Sequence, residues 1–219
     1  MIRLPLYAAL LCCVTHAAAQ GPNGVFLIAK PGLADPNFNE TVVLVTQTQD
    51  SSTVGVIVNR PTDLKLTQFL ADGFETGKYA DAVFFGGPVM RQALVTVFQS
   101  DAPPQAPAFH VLRKLYMSLH PDNLKELLAS GDRRYRVYSG FSGWAPRQLE
   151  SEFEREGWFV LPADEEMVLR KDTSGLWREL LERVQARKTR LPQIDSSATR
   201  EYAPQKTKGP AEGGAGMPG

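Results

Sequence analysis

Three motifs at predicted strand ends carry side chains that could bind a ligand. Asp35 and Asn37 lie in a loop rich in turn-forming residues, and Asn59 and Arg60 follow an apolar run at positions 54–58. An arginine at the end of a rigid strand can make two parallel hydrogen bonds to a carboxylate or a phosphate. These residues indicate a site for a small anion or for a protein partner, with Arg60 as its main cation.

Arg60 also has a structural interpretation, which we favour. Asn59 and Pro61 are typical turn residues, and Arg60 between them could pair with an internal carboxylate such as Asp35 or Glu150. A third interpretation, an enzyme that uses Arg60 with one of these carboxylates, stays open. It predicts that Arg60→Ala abolishes turnover with little change in thermal stability.

The pair Gly86-Gly87 follows another apolar run and precedes Pro88. Two successive glycines can point free backbone N–H groups at an anion. The segment has neither the Lys-Ser/Thr of a P-loop nor the third glycine of a dinucleotide fingerprint. A plain strand-ending turn is therefore the favoured interpretation, and Gly86 and Gly87 remain ligand-binding candidates.

No set of residues predicts catalysis. Ser142 lies in a sequence similar to a nucleophile elbow, but Trp144 replaces the last glycine and no His and Asp complete a triad. We expect the two glycines beside Ser142 to let the chain turn sharply, with Trp144 packed in the core beneath Leu149. Glu150 and Glu154 share a helix face that we expect to be solvated. We predict a protein that is not an enzyme, with no catalytic residue, no metal site and no cofactor.

The N-terminal segment has the pattern of a secretory signal. Arg3 precedes an apolar run at positions 4–14, and Ala17-Ala18-Ala19 supplies small residues for cleavage. We predict cleavage after Ala19, which leaves a periplasmic or secreted chain beginning at Gln20, with no transmembrane segment. The alternative is a retained segment and a cytoplasmic protein. Cleavage removes both cysteines, at positions 12 and 13, so the mature chain has no disulfide or thiol nucleophile.

Charge is unevenly distributed along the mature chain. Positions 20–185 hold 17 basic and 21 acidic side chains, although the whole sequence has 24 of each. A duplex-binding domain normally presents a basic patch, so we expect no nucleic-acid partner. The residues after position 187 are rich in Pro, Gly, Ala, Lys and Ser, a composition typical of disorder. We predict a signal peptide at 1–19, one domain at 20–187 and a disordered tail at 188–219.

Strands and helices alternate irregularly, which favours a single α+β domain over a doubly wound sheet. The apolar runs are almost continuous, so we expect strands that are covered on both faces. Predicted strands cover positions 25–30, 41–48, 54–58, 82–85, 93–98, 109–119, 134–138, 158–161 and 167–169. Predicted helices cover a short segment around 64–70, then 121–130, 146–156 and a last helix after Ser174.

Four segments together resemble the YqgE/AlgH family of bacterial proteins. They occur in the family order over about positions 24–181: GVFLIA with DPNF, GVIVNRP, FGGPV, and YSGFSGW with QLE. The resemblance implies an α+β fold in which a bifurcated sheet closes into a pseudo-barrel flanked by helices. It implies no enzymatic activity.

The family name AlgH carries a label of transcriptional regulation. No helix-turn-helix, zinc finger or basic helix accompanies that label here. The sequence also lacks a histidine that relatives commonly have after the second strand, and it carries a signal peptide that most relatives lack. We therefore expect an exported, non-enzymatic YqgE/AlgH-like protein that binds a small anion or a protein partner through its strand-end loops. The alternative is a cytoplasmic AlgH-like regulator.

Overall fold

The apolar runs form strands in the computed structural model, which describes residues 23–70, 82–130, 134–154 and 157–190. The predicted signal peptide and the tail beyond position 190 lie outside the described residues. Ten strands are described: β1 Val25–Ala29, β2 Val42–Gln47, β3 Thr53–Ile57, β4 Pro61–Lys65, β5 Ala82–Phe85, β6 Val89–Gln99, β7 Phe109–Leu112, β8 Leu115–Ser118, β9 Tyr135–Trp144 and β10 Trp158–Pro162.

Four α-helices lie among the described residues: α1 Pro121–Ser130, α2 Gln148–Glu154, α3 Glu165–Val168 and α4 Leu176–Arg190. A 3-10 helix, Leu66–Gln68, follows β4. The bounds of α1 agree with its prediction, as expected for a segment with Pro at its first position. Helix α4, predicted to begin after Ser174, ends at Arg190.

The strands form one mixed sheet that branches at β9. The main path runs β10-β1-β2-β3-β9-β6-β8-β7, and β5 pairs with both β4 and β9. β3 pairs antiparallel with the last residues of β9, at Ser142, Gly143 and Trp144. β5 pairs parallel with β9 further back, at Tyr138 and Ser139. The predicted single α+β domain with a bifurcated sheet is therefore present.

The predicted closure into a pseudo-barrel is wrong. The main path ends at β10 on one side and at β7 on the other. Among the described residues, one backbone hydrogen bond, from Gly24 N–H to the Val111 carbonyl at 2.8 Å, links the residue before β1 to β7. Closure requires a continuous ladder between two strands, and these strands share no ladder.

Side chains of β1 to β3 alternate between two apolar layers, one on each face of the sheet. Phe26 and Ile28 pack in the larger cluster with Leu176 and Leu180 of α4. Leu27 and Ala29 pack in the opposite cluster, together with Trp144, Trp158, Phe38, Leu149 and Phe153. The expectation of strands covered on both faces is confirmed, and so is the core position of Trp144 beside Leu149.

Several local predictions were wrong. Positions 167–169 belong to helix α3 and its end, because the Asp164 carboxylate accepts from Glu166 N–H and Met167 N–H and starts a helix there. The predicted extended segment 109–119 is the hairpin of β7 and β8. The sharp turn expected around Ser142 does not occur, because β9 runs through it without interruption. The short helix predicted around 64–70 is a 3-10 helix at Leu66–Gln68, and positions 64 and 65 belong to strand β4.

Candidate functional site

The predicted strand-end loops meet at one edge of the sheet. Phe85 N–H donates to the Arg60 carbonyl at 2.9 Å, and Ile57 N–H donates to the Gly86 carbonyl at 3.0 Å. The Asn59 side-chain oxygen accepts from Val42 N–H at 2.8 Å. The loop from β1 to β2, the end of β3 and the turn from β5 to β6 are thereby joined. Six of the seven predicted site residues lie in these three segments.

Arg60 holds the loop between β1 and β2 through its backbone. Its two terminal nitrogens donate to the Asn37 carbonyl at 2.7 Å and to the Asn39 carbonyl at 2.9 Å. Its guanidinium carbon lies 5.9 Å from the centre of the Phe85 ring. The predicted ion pair with Asp35 or Glu150 is wrong, because Arg60 donates to these two backbone carbonyls instead. Partial burial lowers the pKa of Arg60, which stays charged at neutral pH.

Asp35 and Asn37 shape the same loop. The Asp35 carboxylate accepts from Asn37 N–H at 2.8 Å and from the Asn37 side-chain amide at 3.0 Å. This is an Asx turn, in which a short polar side chain replaces a backbone turn contact. Arg91 approaches the Asn37 side-chain oxygen at 3.4 Å and lies over the Phe85 ring at 5.5 Å. The loop thus places two guanidinium groups, of Arg60 and Arg91, near one aromatic ring.

Both ends of the Asn59 amide are engaged. In addition to accepting from Val42, it donates to the Glu40 carbonyl at 3.0 Å. Glu40 adopts a left-handed backbone conformation with φ of 52°. Because the amide nitrogen and the amide oxygen of Asn59 both bond to the backbone, we assign Asn59 the role of fixing the conformation at Glu40.

The two glycines allow a close crossing between the β5–β6 turn and β9. Gly86 N–H donates to the Ser139 carbonyl at 2.9 Å, so this donor is not free for an anion. A Cβ on Gly86 would overlap the Gly140 carbonyl, and one on Gly87 would overlap the Phe141 carbonyl. The buried Ser142 hydroxyl donates to the Gly86 carbonyl at 3.1 Å. These contacts support the strand-ending turn over the anion nest.

Glu150 is the one predicted site residue outside these three segments. It is exposed on α2, and within the described part of the chain it forms no ion pair with Arg60. Its neighbour Glu152 has the structural role instead. One Glu152 carboxylate oxygen accepts from the Trp144 indole at 3.1 Å and from the Trp158 indole at 2.9 Å.

A cavity of about 440 Å³ opens beside Arg60, between the β1–β2 loop and the first turn of α4. Its lining residues are mostly polar or charged: Asn39, Glu40, Asn59, Arg60, Thr173, Ser174, Gly175, Trp177 and Arg178. The Trp177 indole donates to the Ala29 carbonyl at 2.7 Å and fixes α4 against β1. Two cations, Arg60 and Arg178, therefore face one concave space of a size that holds small molecules.

Sequence reasoning missed Glu40, Arg91 and the whole α4 wall of the cavity. Ser174 and Trp177 were assigned to the start and the core stripe of a helix, which gives no sign that this helix end faces Arg60. The separation of Arg60 from Arg178 is 118 positions. No spacing rule links residues so far apart, and the packing of α4 on the sheet brings them together.

No group of three or more His, Cys, Asp or Glu residues in the described ranges is placed to hold a metal ion. No helix in those ranges is both long enough and apolar enough to cross a membrane.

Comparison with known proteins decides the family. Residues 26–189 match the family model described as AlgH-like. The chain belongs to the AlgH-like family. The resemblance to YqgE/AlgH proteins seen in the sequence is thereby confirmed.

Relatives of this AlgH-like chain are named UPF0301 proteins. One from Thermobifida fusca is 34% identical over 177 residues, which cover 77% of this chain and 89% of the relative. One from Myxococcus xanthus is 36% identical over 154 residues, covering 69% and 84%. The solution structure of AlgH from Pseudomonas aeruginosa is similar with a TM-score of 0.61 and 27% identity, over 86% of this chain and 95% of AlgH. A crystal structure from Corynebacterium diphtheriae shares the fold, with a TM-score of 0.57 over 75% and 87% of the two chains.

Proposed function

We propose that this AlgH-like protein binds a small anionic ligand in the cavity between the β1–β2 loop and α4. The observation that carries the proposal is the pair of arginines, Arg60 and Arg178, that line one cavity of about 440 Å³. An arginine offers five N–H donors, and carboxylate or phosphate oxygens match its planar fork. The proposal includes no catalytic step.

Donors remain for a ligand after the internal contacts are counted. Arg60 uses one N–H of each terminal nitrogen on backbone carbonyls, which leaves further donors on the same group. Arg178 is exposed and has no ion pair within the described ranges. Arg60 is therefore a fixed cation at the base of the loop, and Arg178 a free one on the opposite wall.

Arg178→Gln is the variant that tests the proposal, because Arg178 supports no other part of the fold. We expect inorganic phosphate to bind the wild type, with a Kd raised about ten-fold in this variant, as for the loss of a charge-assisted hydrogen bond. Isothermal titration calorimetry measures the Kd. The matched control is Arg187→Gln, an exposed arginine on the same helix that does not line the cavity.

Equal phosphate affinity in the Arg178→Gln and Arg187→Gln variants would contradict the proposal. The absence of phosphate binding by the wild type would contradict it as well, and would favour the alternative of a protein partner at the strand-end loops.

We also propose that the mature protein is exported and begins at Gln20. The support is in the sequence: Arg3, the apolar run at positions 4–14 and the three alanines ending at Ala19. Intact-mass spectrometry of protein from separated periplasmic and cytosolic fractions of its host tests this. A periplasmic species that begins at Gln20 is the expected result. A full-length cytosolic species would overturn the export proposal and favour the alternative, a cytoplasmic AlgH-like regulator.

A further inference from the structure

Glu40 combines an unfavourable backbone conformation with a place in the cavity wall. Its φ of 52° lies in the left-handed region, where a residue with a Cβ is disfavoured and glycine is not. Asn59 holds this conformation by donating to the Glu40 carbonyl at 3.0 Å. A strained residue that lines a cavity points to a role for its side chain.

The cavity therefore contains both signs of charge. Glu40 is exposed and lines the same space as Arg60 and Arg178. Across the described ranges, Glu40 makes no ion pair with either arginine, so its carboxylate is not spent on neutralising them. A purely anionic ligand would gain from the arginines and be repelled by Glu40. A ligand with an anionic group and an ammonium group would gain from both walls.

We propose that Glu40 sets the specificity of the cavity for small zwitterions. The anionic group of the ligand binds Arg60 and Arg178, and its ammonium group binds the Glu40 carboxylate. This inference rests on the proposed anion site and adds the class of ligand. It also explains why a glutamate stands where glycine would relieve strain, since glycine offers no carboxylate.

A matched pair of probes isolates the ammonium group. Phosphoethanolamine carries a phosphate and an ammonium, and propyl phosphate has a methyl group in place of the ammonium. We expect the wild type to bind phosphoethanolamine about five-fold more tightly, the effect of one partly exposed ion pair. In Glu40→Gln the ratio of the two Kd values should fall to about one, with propyl phosphate binding as tightly as before or more so. Glu182→Gln, an exposed acid of α4 outside the cavity, should keep the wild-type ratio.

The variant Glu40→Gly separates strain from recognition. Relief of the left-handed backbone should raise the melting temperature by about 2–4 °C, while the preference for phosphoethanolamine is lost. The specificity proposal would be overturned if the wild type bound phosphoethanolamine and propyl phosphate equally tightly. It would also be overturned if Glu40→Gln kept the wild-type ratio of the two Kd values. The anion site would still stand after either result, provided that Arg178→Gln weakens phosphate binding. The two proposals can therefore be rejected independently.

Phosphoethanolamine is also a lipid headgroup, and vesicles distinguish the two sources. Sedimentation with phosphatidylethanolamine vesicles that is lost in Glu40→Gln would assign the headgroup as the source. If the protein binds soluble phosphoethanolamine through Glu40 but does not sediment with the vesicles, the ligand is a free small molecule.

Discussion

At the scale of single residues, Arg60 shows what can and cannot be inferred from the type and position of a side chain in the sequence. Its position at a strand end identified it as the main cation of the site, and it does line the cavity. Its predicted carboxylate partners were wrong, because it donates to the carbonyls of Asn37 and Asn39. Every residue has a carbonyl, so a sequence gives no indication of which ones a loop will aim at a guanidinium.

Glu150 and Glu152 make the same point on one helix. Both are glutamates of α2, and the prediction chose Glu150. The structure places Glu152 under two indole N–H groups and leaves Glu150 exposed. Which of two neighbouring carboxylates faces the sheet depends on the helix rotation, and α2 begins at Gln148, two residues after its predicted first residue, Pro146.

Tyr138 gives a pH prediction at the residue scale. Its hydroxyl is buried without a hydrogen-bond partner among the described residues, and burial raises its pKa to about 12, against a smaller opposing effect of Arg136. An unfolded tyrosine titrates near 10. Between these pH values the unfolded chain has lost a proton that the folded chain keeps, so stability falls as pH rises. We expect a loss of about 2 kcal/mol from pH 10 to pH 12 through this group.

Tyr138→Phe removes the titrating group while keeping the ring. Urea unfolding at pH 8 should give a free energy close to the wild-type value, because no hydrogen bond is lost. At alkaline pH the variant should lose less stability than the wild type. Parallel decline of both proteins between pH 10 and pH 12 would show that Tyr138 is not responsible.

At the scale of elements, strands β1, β2, β3 and β5 were predicted within about one residue, whereas β4 was missed and β6 begins four residues before its predicted start. Their β-branched runs are unbroken and bounded by turn residues, and burial on both faces accounts for that pattern. Short elements were predicted less well. Met167 belongs to a helix because Asp164 caps it, a local hydrogen-bond effect that outweighs the β-propensity of three apolar residues.

The crossing of the β5–β6 turn over β9 depends on glycine. A Cβ on Gly87 would overlap the Phe141 carbonyl, which belongs to the backbone of a central strand and cannot move aside cheaply. We expect Gly87→Ala to lower the free energy of unfolding by about 3 kcal/mol, the upper end of overpacking effects. Chemical denaturation measures the change.

Gly143→Ala is the control for this prediction. Gly143 lies in the same strand, and an added Cβ would come no closer than 3.4 Å to the Phe141 ring. Its cost should stay below about 1 kcal/mol. Similar losses for the two variants would mean that the general cost of replacing glycine in a strand, and not the crossing, determines the result.

At the scale of the whole molecule, the sheet is branched and open. β3 and β5 both pair with β9, at different positions along its length. Among the described strands, the outer strands β10 and β7 form no ladder with each other. Covering both faces with side chains and helices buries the apolar residues without closure. The family resemblance correctly predicted that the sheet branches, but its prediction that the sheet closes into a pseudo-barrel was wrong.

The cavity is a product of this arrangement. α4 reaches the end of β3 because its apolar residues Leu176 and Leu180 pack on the sheet and Trp177 donates to the Ala29 carbonyl. That packing brings Arg178 opposite Arg60.

The sequence by itself determined the two-faced strands, helix α1, the family and the strand-end residues that meet at one edge, because periodicity, turn residues and caps act over a few neighbouring positions. The tertiary structure alone decided the partners of Arg60, the open sheet and the cavity wall supplied by α4. Those features depend on contacts between segments far apart in the chain, and such contacts are fixed by how whole elements pack.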